Sequence, residues 1–194
     1  MTENERLLDQ LRRAYRGGAF HGPAVFEILE GVSAETAAAK PLAGAHSIWE
    51  LVRHVATWNR IPVQRIRERR AIDPIDAENF PVVGDPSESA WSAAKQELSA
   101  SADDVAATIE ALPAERFAEI VPGRTYTVVA MLDGVIQHAL YHAGQMALMK
   151  KASGFSSPAS RPRTHRARWR SSVAACSQVT KLRRLEKRMR FCFA

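Results

Sequence analysis

The chain has 194 residues, of which 46% are hydrophobic and 25% charged, and this globular composition excludes a wholly disordered chain, a collagen-like chain and a disulfide scaffold. The net charge of +6 comes from the C-terminal tail, because residues 153–194 hold 11 Lys and Arg and one acid, Glu186, whereas residues 1–152 hold 16 basic and 20 acidic groups. A nucleic-acid-binding function for the domain itself therefore loses its main support.

Helical spacing of apolar residues recurs along the domain, and strand-type alternation is nearly absent, so the sequence predicts an all-α fold. The first helix is predicted over about residues 3–15, where two glycines then interrupt the pattern. A second stretch begins at Pro23, which is favoured at the first position of a helix, and ends near Glu30.

The next helix has a clear start, because Ser47 and Glu50 have the spacing of a capping box. It is predicted to continue to about Arg70, and Pro62 should bend or break it locally. Its apolar residues form one inward stripe: Ile48, Leu51, Val52, Val55, Trp58 and Ile61.

Two further helices complete the domain. Residues 73–83 are predicted to be a connection, and a helix then follows from the capping residues near Asp85 to about Leu112. The last helix is predicted over about residues 127–151, and it ends in basic residues before Gly154. Four main helices with these connections predict a bundle.

Several segments bear on where the protein works. Residues 1–20 include seven charged residues and have no apolar core of signal-peptide length. Residues 125–149 carry acidic, amide and imidazole groups that a membrane span would have to desolvate. Both cysteines, Cys176 and Cys192, lie in the tail, so the domain has no thiol for a disulfide. We therefore expect a cytoplasmic protein with no membrane contact.

A pair of histidines in the last helix is the first candidate for chemistry. His138 and His142 are four residues apart, so their side chains leave one face of the helix a turn apart, within reach of one metal ion. His54, on the inward side of the capped helix, offers a third imidazole from another wall. A divalent ion would account for all three groups, and the alternative is three separate core histidines bonded to backbone or water.

The sequence also resembles the DinB/YfiT-like family of metal-dependent enzymes over about residues 1–152. Three stretches carry the resemblance: His21-Gly22-Pro23, the block from His46 to His54, and the segment from Gly134 to Gln145. The resemblance implies a four-helix bundle with an up-down-down-up course. It also implies a metal site with one histidine from the second main helix and an HxxxH pair from the fourth, which here are His54, His138 and His142.

Other polar residues lie close to these positions in sequence. Gln145 and Glu50, each one turn from a candidate ligand, are candidates for orienting an imidazole N–H, although a cap or an ordinary polar role is the alternative for both. His46 is interpreted as a structural residue near the cap. His21, in a Gly-Pro turn, also falls outside the helical triad and is interpreted as structural, with a place over the site as the alternative. Three tryptophans are candidate pocket walls or simple core: Trp49, Trp58 and Trp91.

The resemblance implies an enzyme, either a hydrolase or a thiol-dependent transferase, in which one divalent ion activates water or a small thiol as the nucleophile. Zinc is one candidate, and nickel, iron and manganese are others, because imidazole suits several divalent metals. A low-molecular-weight thiol is a further cofactor candidate, and the expected partners are a small-molecule substrate and a second copy of the chain. The alternatives are a non-catalytic, metal-stabilised or metal-sensing bundle, and nucleic-acid binding through the tail.

The tail over residues 153–194 departs from the resemblance, because such domains usually end soon after the segment that is here residues 146–151. Its composition changes abruptly to Ser, Pro, Arg and Thr, which predicts a disordered segment outside the fold. One hypothesis is an out-of-frame or otherwise non-native extension. The other is a basic arm that binds nucleic acid or acidic surfaces through phosphate contacts.

Overall fold

A computed structural model describes residues 1–20 and 22–154 of the chain. The predictions for His21, for both cysteines and for nearly all of the basic tail lie outside the described residues. Within them the chain forms seven α-helices and one short 3-10 turn, with no strand, so the all-α class is confirmed. The domain boundary at residue 152 stays a prediction.

The helices follow one another in the expected order along the chain. Their bounds are α1 (Glu3–Arg16), α2 (Val25–Leu29), α3 (Ala34–Ala38), α4 (Ile48–Glu68), α5 (Asp76–Asn79), α6 (Glu88–Glu110) and α7 (Val128–Ala152), with the 3-10 turn at Ala114–Ala118. The long helices α1, α4, α6 and α7 agree with the predicted ones to within about two residues at most ends. The short helices α3 and α5 were not predicted, because a helix of four or five residues is too short to show a periodic pattern.

Each long helix begins at a hydroxyl side chain that accepts a backbone N–H of the first turn. These capping residues are Thr2, Ser47, Ser87 and Thr127. The predicted capping box at the start of α4 is confirmed, because the Glu50 N–H donates to Ser47 Oγ and the Ser47 N–H donates to Glu50 Oε2 at 2.9 Å. Capping satisfies donors that the helix leaves without partners, and so it fixes where these helices begin.

Pro62 does not interrupt α4, which continues through it to Glu68. A proline inside a helix has no N–H to donate to the carbonyl four residues earlier, and its ring crowds that turn. Here Pro62 is buried and lines a cavity between α4 and α7, so the ring faces open space. Packing of the apolar face of α4 on both sides of the proline outweighs its local cost.

The four long helices pack around one hydrophobic core. α4 contacts both α6 and α7, and α1 contacts the same two helices. α4 and α7 run in opposite directions, because His54 lies beside His142 while Arg65, further along α4, contacts Met131 near the start of α7. This antiparallel pair positions the histidines, and the up-down-down-up course of the whole bundle stays a prediction of the family resemblance.

The apolar character of α7 comes from burial in the bundle. Its buried side chains include Leu132, Ile136 and Met146, which belong to the common core. No helix in the part of the chain that the structure describes combines the length and the hydropathy that a membrane crossing requires.

Candidate metal centre

Three histidines meet between α4 and α7. Nε2 of His138 lies 3.0 Å from Nε2 of His54 and 3.0 Å from Nε2 of His142. His54 and His142 are each only 6% exposed, and one ligand nitrogen from each of the three rings lies within 4.8 Å of the others. The predicted gathering of His54, His138 and His142 in one place is therefore present in the structure.

The outer nitrogens of two of these rings have fixed oxygen partners. His54 Nδ1 lies 2.6 Å from the backbone oxygen of Asn79, and His142 Nδ1 lies 2.6 Å from Oε1 of Gln145. A carbonyl oxygen only accepts hydrogen bonds, so Nδ1 of each neutral ring must carry the proton and donate it. Nε2 of both rings then presents a lone pair to the centre of the cluster, which is the form that binds a metal.

The three imidazoles are neutral at pH 7, so each ring has only one N–H group to donate. Burial lowers the pKa of His54 to about 4 and that of His138 to about 3, and it also lowers the pKa of His142. If His138 is neutral, its ring has one N–H, so at most one of the two close contacts between Nε2 atoms can be a hydrogen bond. With the His138 proton on Nδ1, both contacts set lone pairs against each other, and with the proton on Nε2, the lone pair of one neighbouring ring has no donor. A cation among the three Nε2 atoms would pair with the lone pairs of the Nδ1–H form of all three rings.

Two of the three separations between the ligand nitrogens fit a common metal ion, and the third is within 4.8 Å. Two nitrogen ligands about 2.1 Å from one ion are roughly 3.0 to 3.4 Å apart when the angle between them is between about 90° and 109°. The two separations of 3.0 Å fall at the lower end of this range. The donor set, three imidazoles with at least two orienting hydrogen bonds, suits zinc and several other divalent metals.

The short helix α5 supplies one wall of the centre. Besides the bond from His54 to its backbone oxygen, Asn79 accepts the indole N–H of Trp58 through Oδ1 at 2.8 Å. The ring of Phe80 stacks on His54 at 4.1 Å between centroids and on His46 at 3.8 Å on its other face. The connection between α4 and α6 thus covers the outer side of His54 and holds the ring in place.

A cavity of about 400 Å³ opens beside His138, between α4 and α7. The rings of Trp58 and His138 are 5.9 Å apart at one end, and Arg65 bonds to the Tyr126 hydroxyl at the other. Its walls are mainly apolar and include Pro62, Ala130, Met131, Gly134 and Val135. The volume is in the range of small-molecule sites, which begins near 300 Å³.

Comparison with known proteins identifies the family. The sequence model of the DinB superfamily matches residues 21–146, which is more than half of the chain. The chain belongs to the DinB superfamily. The family region of this DinB-superfamily chain includes all three clustered histidines. No curated protein and no solved structure matches it.

The other predicted residues of the DinB-superfamily site have distinct places. Gln145 holds His142, as its position one turn away allows, whereas Glu50 serves the capping box and binds Lys40 at 2.8 Å. The oxygen that orients His54 therefore comes from Asn79 and not from Glu50. His46 lies outside the triad, with Nδ1 3.4 Å from Glu50 Oε2.

Of the three tryptophans, Trp58 lines the cavity, while Trp49 and Trp91 pack on each other within the core at 5.1 Å between ring centroids. Sequence reasoning missed the contributions of Asn79, Phe80 and Arg65. One signal pointed to Arg65, which lies seven residues after Trp58 on the inward stripe of α4, where a basic residue is unusual. No local pattern marks Asn79 as the partner of His54, because that contact is made by its backbone oxygen.

Proposed function

We propose that this chain is a metal-dependent enzyme that acts on a small molecule, with one divalent ion held by Nε2 of His54, His138 and His142. The observation that carries the proposal is the convergence of these nitrogens, with two rings held from outside so that their lone pairs point inward. Membership of a superfamily known for metal binding supports it independently. The class of reaction is hydrolysis or a thiol-dependent transfer.

The composition of the cluster favours catalysis. Within the described residues the metal-holding group consists of three imidazoles, without a carboxylate or thiolate as a fourth ligand. An ion with three histidine ligands keeps positions for water or a small thiol and lowers the pKa of that ligand. Catalytic zinc sites have this open arrangement, whereas structural zinc sites are usually closed by four protein ligands.

Each neighbouring group has a defined task in the proposed enzyme. The Asn79 carbonyl and the Gln145 side chain orient two imidazoles and make them better ligands by accepting their N–H groups. Phe80 and Trp58 exclude water from one side of the centre. The cavity beside His138 gives a small molecule access to the His138 side of the metal centre.

A metal-stabilised, non-catalytic bundle is the second candidate. The triad joins α4 to α7, so an ion there would also cross-link two of the four long helices. The two candidates differ in the number of coordination positions that remain open.

Metal analysis of the full chain, purified without a histidine tag, tests the shared part of both candidates. We expect about one divalent ion per chain and its loss in His54→Ala, His138→Ala and His142→Ala. His46→Ala is the matched control, because His46 is a nearby imidazole outside the triad, and it should keep the metal. Equal metal content in the wild type and in a triple variant of the triad would refute the proposal.

Cobalt substitution separates the two candidates. An open site should change its visible absorption spectrum when azide or a small thiol is added, because either can enter the coordination sphere. A spectrum that does not change with azide or with the thiol would support the structural role and overturn the enzyme proposal. If the site is open, ester, amide and thiol-transfer substrates are screened next, on the metal-loaded and on the chelator-treated protein.

A further inference from the structure

The cavity beside His138 is a channel of defined length. On α4 it extends from Trp58 to Arg65, and on the antiparallel α7 from His138 to Ala130. These spans are seven and eight residue steps, which is about 10 to 12 Å at the helical rise of 1.5 Å per residue. One end of the channel is therefore at the histidine cluster and the other at a buried arginine.

The width of the channel depends on small residues in α7. A Cβ atom built at Gly134 meets no atom within 4 Å, so open space lies in front of this glycine. Ala130 is one turn earlier on the same face, and the buried Pro62 is opposite on α4. Larger side chains at positions 130 and 134 would fill the space.

The far end of the channel has an excess of positive charge. Arg65 is only 4% exposed and pairs with Asp73 at 2.9 Å, but Asp73 is 63% exposed and also pairs with Arg124. In a neighbouring pocket that Arg65 also lines, a second carboxylate is shared in the same way. Four guanidinium groups thus share two carboxylates through ion pairs: Arg65 and Arg124 on Asp73, and Arg69 and Arg116 on Glu119.

The hydroxyl group of Tyr126 adds a hydrogen-bond donor at this end. It accepts an N–H of Arg65 at 3.1 Å, so its own proton is available to an acceptor in the channel. Arg65 already donates to Ile72 O at 2.8 Å and to Asp73 at 2.9 Å, and Tyr126 is 36% exposed, so a bound carboxylate would compete with the exposed Asp73 for Nη2 of Arg65. The guanidinium and the Tyr126 hydroxyl both donate, which suits a carboxylate because it only accepts hydrogen bonds. The apolar walls between the two ends would contact a hydrocarbon body.

We propose that this channel binds the substrate, an elongated and mainly apolar small molecule about 10 Å long with a carboxylate at one end. The carboxylate binds at Arg65 and Tyr126, and the opposite end, which carries the reacting group, lies at His138. The proposal rests on the proposed function for the role of the histidine end. The carboxylate end is defined by the channel alone and is tested without the metal.

Calorimetric binding of sodium octanoate and 1-octanol to the full chain tests the proposal, because a chain of about eight carbons spans roughly the 10 to 12 Å of the channel. We expect octanoate to bind about tenfold more tightly than octanol, both with zinc bound and after treatment with a chelator. Acetate, which lacks the apolar body, should bind much more weakly than octanoate.

Matched variants assign the two halves of the ligand. Gly134→Leu should weaken both probes by about tenfold or more, whereas Gly144→Leu, at an exposed glycine of the same helix with equal open space, should leave both unchanged. Arg65→Met should abolish the preference for octanoate over octanol. Because Arg65 is buried, Tyr126→Phe is the second variant, and it should weaken octanoate severalfold without affecting octanol.

The outcomes separate this proposal from the metal proposal. If octanoate binds only with zinc present, and its affinity is unchanged in Arg65→Met and Tyr126→Phe, the carboxylate binds the ion and the channel assignment is wrong. If neither octanoate nor octanol binds while zinc does, the channel proposal also fails and the metal centre stands. Octanoate binding with the expected variant pattern in a protein that takes up no metal would support the channel and refute the proposed function.

Discussion

The hydrogen bond between Gln145 and His142 gives the sharpest test of how the metal centre is held. Replacing Gln145 with alanine removes the oxygen that lies 2.6 Å from His142 Nδ1 and leaves the three imidazoles in place. We expect Gln145→Ala to fold normally, because Gln145 is partly exposed and its loss opens no core cavity. Its metal affinity should fall.

The size of the effect follows from two properties of this bond. It fixes the proton of His142 on Nδ1, and it strengthens when metal binding draws electrons from the ring, so it resembles a bond to a charged group worth about 1.5 to 3 kcal/mol. Water would replace part of the bond at this partly exposed side chain. The expected loss is therefore about 10-fold to 100-fold in affinity, or about 1.4 to 2.7 kcal/mol.

Competition with a chromophoric zinc chelator measures this loss directly. Gln137→Ala is the matched control, because Gln137 is an exposed glutamine of the same helix, and it should bind zinc like the wild type. Gln145→Glu should bind at least as tightly as the wild type, since a carboxylate is a stronger acceptor of the N–H. Wild-type affinity in Gln145→Ala, or a loss in Gln145→Glu as large as in Gln145→Ala, would refute the reasoning.

Three further predictions concern stability. As the pH drops from 6 towards 4, His54 alone should lower the free energy of unfolding of the metal-free protein by about 1 kcal/mol per pH unit, because burial lowers the pKa of His54 to about 4 and the unfolded chain takes up the proton first. Urea unfolding measures this, and the free energy of unfolding of His54→Gln should depend less steeply on pH. Gly134→Ala should raise the free energy of unfolding by about 0.5 to 1 kcal/mol, because the added Cβ enters open space in a helix. Gly17→Ala should lower the free energy of unfolding by about 1 kcal/mol or more, because Gly17 has φ +130° and the added Cβ would lie 2.9 Å from Glu27 Oε1. Truncation after Ala152, where α7 ends, should leave the melting temperature and the helicity unchanged, and a loss of several degrees would show that the tail contributes to the core.

The sequence by itself predicted the features that depend on neighbours along the chain. The capping box of Ser47 and Glu50 needs only a spacing of three residues, and the pairing of His138 with His142 needs only a spacing of four. The long helices were found because apolar residues repeat with the helical period. His54 was placed on the inward face of α4 by the same rule, and the family resemblance then joined it to the pair.

The tertiary structure decided which groups complete the site. His54 and His138 are 84 residues apart in the chain, and only the antiparallel packing of α4 and α7 brings their nitrogens to 3.0 Å. The oxygen that orients His54 is a backbone atom of Asn79, which every residue type possesses, so no side-chain pattern reveals it. Arg65 lies at the end of a cavity because Gly134 leaves open space on the facing helix. Local spacing determines what one helix presents, whereas the choice of partner depends on how two helices pack.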